Sequence, residues 1–441
     1  MQNKVAIIAD NSVEYIHEMI KEWNQDNCVI LIDVRQNLTE IEKILEENHC
    51  DRIITDSVLI RDYFENSKII QIINQNKYLT EIYYENKEAC FALRKDKTLA
   101  IILYSSGTTG QRKGIMLSHY SITNNAMHII EMKDMHRENV QYTYKPFSHS
   151  ATLVGELLTS LICGNKLIIS STNIMLNVHL RNIEKYGVSY FSINPSVAAM
   201  LVKTNITRNY NYSTLKKVVC CGAKLSVSMI KEMQTIFGAQ VINAYGLTEL
   251  GPMVAFTKID QEYIINEKYR ETASVGQVLK DVQVRIALEN GSEADTNEVG
   301  EVYVATPMIM NGYVNRKFNL VDGYYQTGDM GYFDKNNNLY IVGRKDRMFI
   351  ISGHNIFPEA VENIIYQSGI VAECLIRAEH ADNGEVISCD YIPCNTNVED
   401  SEMRNLLRIF CKKNLATYEI PKKFNMVDKM QYTLSGKVKF N

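Results

Sequence analysis

No two of the ten cysteines form a C-x-x-C pair, and only Cys220 and Cys221 stand close together. Neither a zinc site nor a disulfide framework is indicated, and the expectation is buried free thiols in a reducing cytoplasm. No apolar run is long enough to cross a bilayer. The opening MQNKVAIIAD lacks the basic region and long apolar core of a signal peptide, which again suggests the cytoplasm. Charge of one sign is also scarce. The net charge is -4 over 441 residues with acid and base mixed, so there is no electrostatic footprint for nucleic acid. Internal repeats and low-complexity tracts are missing as well. The single tryptophan, Trp23, reads most simply as a core residue. What remains is 46% hydrophobic and 22% charged residues, as in an ordinary globular protein, in a chain long enough for two or three domains.

The N-terminal part alternates cleanly. KVAIIA (4–9), CVILIDV (28–34) and RIITD (52–56) read as strands, separated by helices over 11–23 and 38–48. Asn11 or Ser12 caps the first helix, and Val13, Ile16, Ile20 and Trp23 share one face of it. Thr39 and Glu42 are spaced as a capping box for the second. This βαβαβ order implies a parallel sheet. Alternation continues through KLIIS (166–170), VSYFSIN (188–194), KKVVCCGA (216–223) and AQVINAYG (239–246). From 275 the texture changes to short strands joined by Gly and Asn turns, a β-rich subdomain. The last ~95 residues return to mixed α/β.

One stretch stands out. The buried strand TLAIILY (98–104) runs straight into SSGTTGQRKG (105–114). Glycines let a backbone come close to phosphates, hydroxyls and amides donate hydrogen bonds, and cations offset charge. The same composition also suits a solvated turn. The Walker pattern is excluded, because it needs Gly at 112 and Ser or Thr at 114, where the chain has Arg112 and Gly114. Four more stretches carry unusual chemistry. NAYGLTEL (243–250) ends a strand, and YYQTGDMGYFD (324–334) reads as a Gly-flanked turn around Asp329. YIVGRKDRMFIISGHNIFP (340–358) gathers Arg344, Asp346, Arg347 and Gly353, and TLSGKVKF (433–440) presents Lys437.

Together, in this order and over nearly the whole chain, these stretches resemble the acyl-adenylate-forming superfamily of acyl- and aryl-CoA synthetases, adenylation domains and firefly-type luciferases. Three departures are visible. Arg112 stands where the family usually has Pro, and Lys224 where a neutral or acidic residue is common. The region before Ser105 is also shorter than in most members. The resemblance implies an α/β fold. A large N-terminal domain (1–345) would hold parallel α/β subdomains and a β-rich one, and a small mobile α+β domain (346–441) would follow.

The resemblance also implies two half-reactions. A carboxylate attacks the α-phosphorus of ATP to give acyl-AMP and pyrophosphate, and the acyl group then moves to a thiol. Two anions must meet, so the first step needs positive charge and close positioning. Lys437 would bridge carboxylate and phosphate, Glu249 would hold Mg²⁺, and Thr248 would donate to the α-phosphate. Ser105, Ser106, Gly107, Thr108, Thr109, Gly110 and Lys113 would grip the departing pyrophosphate. Gly222, Ala223, Asn243, Ala244, Tyr245 and Gly246 would border the nucleotide, with Tyr245 flanking adenine. Asp329 and Arg344 would meet the ribose. Asp346 matches the hinge, and Gly353 would line the tunnel for a pantetheine arm, where a side chain would block passage.

KPFSHSATLVGELL (145–158) resembles the acid-binding region of the same family. Residues 147–155 contain no acidic residue to pair an ammonium, so an α-amino acid is disfavoured. His149 could flank the carboxylate, gate the acyl pocket or simply pack. Ser192, Asn194, Cys221, Gly222 and Ala223 are candidate pocket walls. The acceptor thiol is coenzyme A or the phosphopantetheine of an acyl carrier protein, and a nucleotide-binding protein without ligase activity is the third reading. The partners expected are a small carboxylic acid and no nucleic acid.

Overall fold

The computed structural model describes residues 2–73, 80–83, 94, 96–106, 112–172, 174–203, 207, 209–222, 225–257, 272–351, 354–381, 384–394 and 399–430. The expected N-terminal strands form as Lys4–Ile8, Cys28–Leu31 and Arg52–Thr55, and they pair in parallel. Their side chains alternate between two cores. Val5 and Ile7 pack on one face of the sheet, while Ala6 and Ile8 pack on the other. Both faces are therefore covered, as a parallel sheet requires. Leu99–Ser106 joins in parallel beside Cys28–Leu31, and Arg112–Ser118 folds back antiparallel against it. This first sheet has seven strands.

A second sheet of eight strands is built on the same plan. Gln240–Gly246, Lys217–Cys221, Tyr190–Ile193, Val140–Thr143 and Lys166–Ser170 run parallel in that spatial order. One core lies between the two sheets. It joins Trp23, Ile101 and Leu117 to Val219, Ile242 and Phe256, with Phe147, Leu153 and Leu157 among them. The β-rich region is an antiparallel sheet of Gln283–Ala287, Gly300–Ala305, Tyr325–Phe333 and Leu339–Arg344. Toward the C-terminus, strands Val371–Ala381, Gly384–Pro393 and Lys423–Met426 pack with helices Pro358–Tyr366 and Asp400–Asn414 around their own core. Among the described residues no helix is long and apolar enough to cross a membrane.

One open choice is settled and two local expectations change. Ser12 caps the first helix, accepting from the Tyr15 amide at 3.0 Å. Asn11, the other candidate, instead clamps a distant segment, as described below. The Thr39–Glu42 capping box does not form, because the second helix begins at Leu38 and places Thr39 inside the first turn. Asn37 is the cap, taking the Glu40 amide at 2.8 Å, and the Thr39 hydroxyl donates to Asn37. Asp329 lies within the strand Tyr325–Phe333, paired with Arg344 in register, and not in a turn. The positive φ of Gly328 (74°) supplies the local bend that suggested one.

Candidate active site

The carboxyl ends of the two parallel sheets face each other, which is where open α/β sheets place ligands. The Ser171 hydroxyl, just past Lys166–Ser170, donates to Asp10 Oδ2 at 2.6 Å. Asn11, just past Lys4–Ile8, donates from its side-chain amide to the Lys145 carbonyl (2.8 Å) and accepts from the Phe147 amide (3.0 Å). The segment that carries His149 is therefore tied to the first sheet at both ends of a three-residue step.

On the nucleotide side, pairing between Leu99–Ser106 and Arg112–Ser118 sets Ser105 opposite Lys113 and Ser106 opposite Arg112. The two strands of this hairpin thus end at Ser106 and Arg112, the borders of the central part of the glycine-rich segment. Gly114 is required there, because a Cβ would lie 2.6 Å from Val314 and 2.8 Å from the Tyr104 ring. Gly312–Tyr313 adds to the outer edge of this hairpin and brings Tyr313 to Lys113, whose Nζ lies 5.9 Å from the ring centroid. The Tyr313 hydroxyl donates to Glu249 Oε1 at 3.0 Å and lies 2.9 Å from the Tyr325 hydroxyl. Burial and then the Glu249 charge push the Tyr325 phenol up to about 12, and they act in the same direction on Tyr313. Both tyrosines stay protonated around the carboxylate.

Asp329 is held from two sides. The Tyr245 hydroxyl donates to Oδ2 at 2.6 Å, and Arg344 Nη1 donates to Oδ1 at 3.1 Å. Arg344 also reaches the Thr327 carbonyl (3.0 Å) and, through Nε, Asp346 (3.3 Å). Burial and Asp329 raise the Tyr245 phenol well above its ordinary range, so it remains a donor. On the acid side, Ser150 Oγ lies 2.8 Å from Thr248 Oγ1, joining the His149 segment to the short 3₁₀ turn Thr248–Leu250.

Three groups of contacts result: Tyr245, Asp329, Arg344 and Asp346 form one, Glu249, Tyr313 and Tyr325 a second, with Lys113 over the Tyr313 ring, and Ser150 with Thr248 a third. Asn243 and Ala244 are buried in the strand before Tyr245, and the Asn243 side chain donates to the Ser274 carbonyl at 2.9 Å. Gly246 ends that strand, and Gly222, with φ of 98°, follows the strand ending at Cys221. Ser192 is buried, and Asn194 Oδ1 accepts from the Val197 amide of the next helix. Gly107, Thr108, Thr109, Gly110, Ala223, Gly353 and Lys437 lie outside the described residues, as does the side chain of Ser106.

A model of the AMP-binding enzyme family matches residues 1–314. The chain belongs to that family. Relatives of the AMP-binding enzyme include a long-chain-fatty-acid–CoA ligase of Haemophilus influenzae, 28% identical over 77% of this chain and 60% of that one. An oxalate–CoA ligase of Arabidopsis thaliana is 26% identical over 77% and 66%. A 2-succinylbenzoate–CoA ligase of Enterococcus faecalis is 24% identical over 99% and 87%. The chain spans 60% to 66% of the length of the first four relatives it matches. In fold, it superposes on an anthranilate CoA ligase bound to anthranoyl-AMP with a TM-score of 0.86 at 16% identity, covering 100% of this chain and 86% of that one. It also superposes on o-succinylbenzoate CoA synthetase from Bacillus subtilis with its acyl-adenylate, at a TM-score of 0.82, 22% identity, and 99% and 87% coverage.

Tyr313, Tyr325 and Ser150 escaped the sequence reading of this AMP-binding enzyme. Tyr325 lies in YYQTGDMGYFD, a stretch singled out for Asp329, and Tyr313 lies in MIMNGYVN, which carries no such signal. What the sequence does not carry is the edge pairing of Gly312–Tyr313 with Arg112–Ser118, which, with the bond from the Met310 amide to the Glu249 carbonyl, brings Tyr313 to Glu249.

Proposed function

We propose that the chain is an ATP- and Mg²⁺-dependent carboxylate ligase, forming an acyl-AMP and then an acyl thioester with coenzyme A, in the cytoplasm. The observation that carries this reading is the oriented carboxylate of Asp329. Tyr245 and Arg344 fix its two oxygens, and a fixed carboxylate suits a vicinal diol such as ribose. Glu249 supports the phosphate end. Among the described residues no group of three His, Cys, Asp or Glu side chains is placed to hold a metal by itself. A single buried carboxylate fits an ion that takes one protein ligand and completes its shell with phosphate oxygens and water. When bound, Mg²⁺ would offset phosphate charge. Nine cysteines are free among the described residues, in keeping with a reducing compartment.

In this reading Lys113 and the hairpin tip hold the phosphates, Thr248 donates at the α-phosphate, and Lys437 bridges the attacking carboxylate. Residues 1–345 and 346–441 act as two domains hinged at Asp346. The separate apolar core of the C-terminal part, from Ile356 to Phe424, supports that division. Coenzyme A is favoured as acceptor because the relatives above are named as CoA ligases.

The test is pyrophosphate release over a panel of carboxylic acids, followed by thioester detection with coenzyme A or a carrier protein. Lys437→Ala is expected to slow acyl-AMP formation about 100-fold or more, as when a charged transition-state donor is removed. It should affect thiolysis of supplied acyl-AMP much less. No pyrophosphate release with any acid would sink the ligase reading and favour plain nucleotide binding.

A further inference from the structure

The segment from Val140 to Thr159 holds charges that the chemistry above does not use. Lys145 lies two residues beyond the carboxyl end of Val140–Thr143, on the edge of the second sheet that also carries Cys221. Its Nζ sits 2.8 Å from Glu156 Oε1, and Glu156 is 1% exposed. Glu156 occupies a π-helical turn, Leu153–Leu158, inserted between two α-helical pieces. Such turns recur at functional sites. Lys133, 2% exposed, reaches the same turn from the helix His119–Lys133 and donates to the Gly155 carbonyl at 2.8 Å.

Two buried ammonium groups thus flank one buried carboxylate: Lys145 pairs with it, and Lys133 bonds the carbonyl of the residue before it. Burial pushes the Lys133 ammonium down to about 8, even though Glu156 pulls it the other way. Burial alone would lower Lys145, but Glu156, Cys221 and Tyr144 together shift it upward. An unmatched buried cation is costly, and the arrangement is completed by one more negative charge. Hydrogen-bonding groups around it are also unsatisfied. The Tyr144 hydroxyl, the Ser148 hydroxyl and Glu156 Oε2 are buried and make no hydrogen bond. Buried polar groups in native proteins are normally paired, so three together call for a ligand or water.

The position is right for the far end of the acid. Ser150, bonded to Thr248, marks where the reacting carboxylate meets the nucleotide. Tyr144, Lys145, Ser148 and Glu156 flank Ser150 in sequence. Glu156 itself would suit an ammonium, but Lys145 already neutralises it.

We propose that the acid activated here carries a second carboxylate, and that Lys145 recognises it, with the Tyr144 and Ser148 hydroxyls as further donors. This rests on the ligase reading above and names its substrate class. A long saturated acyl chain would instead bury apolar methylenes against the unmatched charge.

The experiment measures kcat/KM for pyrophosphate release with pairs of acids matched in length: hexanoate and adipate, octanoate and suberate, benzoate and phthalate. The wild-type protein should prefer the diacid in at least one pair by about tenfold or more, as a site built for a polar group rejects the analogue lacking it. In Lys145→Met the diacid-to-monoacid ratio should fall by about 100-fold, mostly through KM. Because Lys145→Met strands the Glu156 charge, Lys145→Met/Glu156→Gln is measured beside it. The double variant removes both charges at similar volume and should show the same fall. A wild-type preference for the monoacid in every pair would overturn the inference while leaving the ligase reading intact. So would an unchanged ratio in the folded double variant. No pyrophosphate with any acid would overturn both.

Discussion

The two halves of the site are built on different principles. On the nucleotide side three charges meet partners: Asp329 has Tyr245 and Arg344, Arg344 also has Asp346, and Glu249 has Tyr313. On the acid side Lys145 pairs with Glu156, Lys133 bonds the neutral Gly155 carbonyl, and the Tyr144 and Ser148 hydroxyls are left without bonds. The nucleotide half reads as preorganised, with dipoles already aimed, which costs little reorganisation when charge develops. The acid half reads as incomplete until its ligand arrives. A reaction common to many ligases needs the first to be constant and allows the second to differ. The relatives fit this division, being named for acids as unlike as long-chain fatty acids, oxalate and 2-succinylbenzoate.

The comparison breaks most visibly if a nucleotide-side change alters acid preference. Asp329→Ala should lower kcat/KM for pyrophosphate release by about 100-fold or more, and by the same factor for every acid in the panel. Glu249→Gln should raise the Mg²⁺ concentration needed for the first step, again without re-ranking acids. If either variant reorders the panel, the two halves are not separable.

Separating the half-reactions sharpens the nucleotide side. Asp346→Pro fixes φ near −65° at the proposed hinge and removes a backbone donor. It also removes the carboxylate that takes Arg344 Nε. Acyl-AMP formation should stay within a few-fold, and thioester yield should fall about tenfold or more, because only the second step needs the rotated domain. Gly353→Leu should give the same split by filling the tunnel. Single-turnover pyrophosphate release and thioester yield are measured separately on protein shown to be folded by circular dichroism. Equal loss of both steps would count against the hinge.

Much of the nucleotide half was legible because short stretches carry it. Lys113 stands in a segment whose residue types suggest phosphate binding, while Glu249, Asp329 and Arg344 stand in stretches picked out by the family resemblance. The strands too were legible, since KLIIS and AQVINAYG form with little change of boundary. The acid half was not. A scan of 147–155 finds no acidic residue, and Glu156 stands one position beyond it. Its pairing with Lys145 depends on a π-helical turn, which no periodicity announces. Thr39 and Glu42 failed as a cap for a related reason. Several hydroxyl and amide side chains competed for one helix start, and the register of a single residue decided in favour of Asn37.

The two halves should also differ in how pH affects them. His119 lies against Trp23 near the first sheet, and His179 bonds the Tyr142 hydroxyl at 2.7 Å and stacks on Tyr144 beside the acid side. Burial lowers each imidazole to about 4. The unfolded chain protonates these groups near 6.5 and the folded one only near 4, so stability falls as pH drops through that window and levels off below it. Each histidine contributes on the order of 2–3 kcal/mol of acid sensitivity by pH 4. Lys133 acts at the other end. Its folded value near 8 lies below the unfolded 10.5, so its contribution to stability grows as pH rises from 8 toward 10.5. Urea melts of His119→Phe and Lys133→Met should show a flatter acid limb and a flatter alkaline limb respectively.

The smallest expected effect concerns Arg112, which the resemblance sets where the family usually has proline. Its Nε lies 3.3 Å from Glu40 of the helix Leu38–Glu47, with both side chains partly exposed, so the pair ties the hairpin to the first sheet's outer layer. A pair of this kind contributes about 0–1 kcal/mol and weakens with salt. If Arg112 acts only through Glu40, then Arg112→Ala and Glu40→Ala should each raise KM for ATP by no more than about threefold. The double variant should be no worse than either single one, and raising the salt concentration should erase the difference from wild type. A loss of tenfold or more in Arg112→Ala alone, with Glu40→Ala near wild type, would mean that Arg112 reaches the phosphates directly. The nucleotide half would then hold a cation that its relatives' proline cannot supply, and its claim to constancy would fail at that residue.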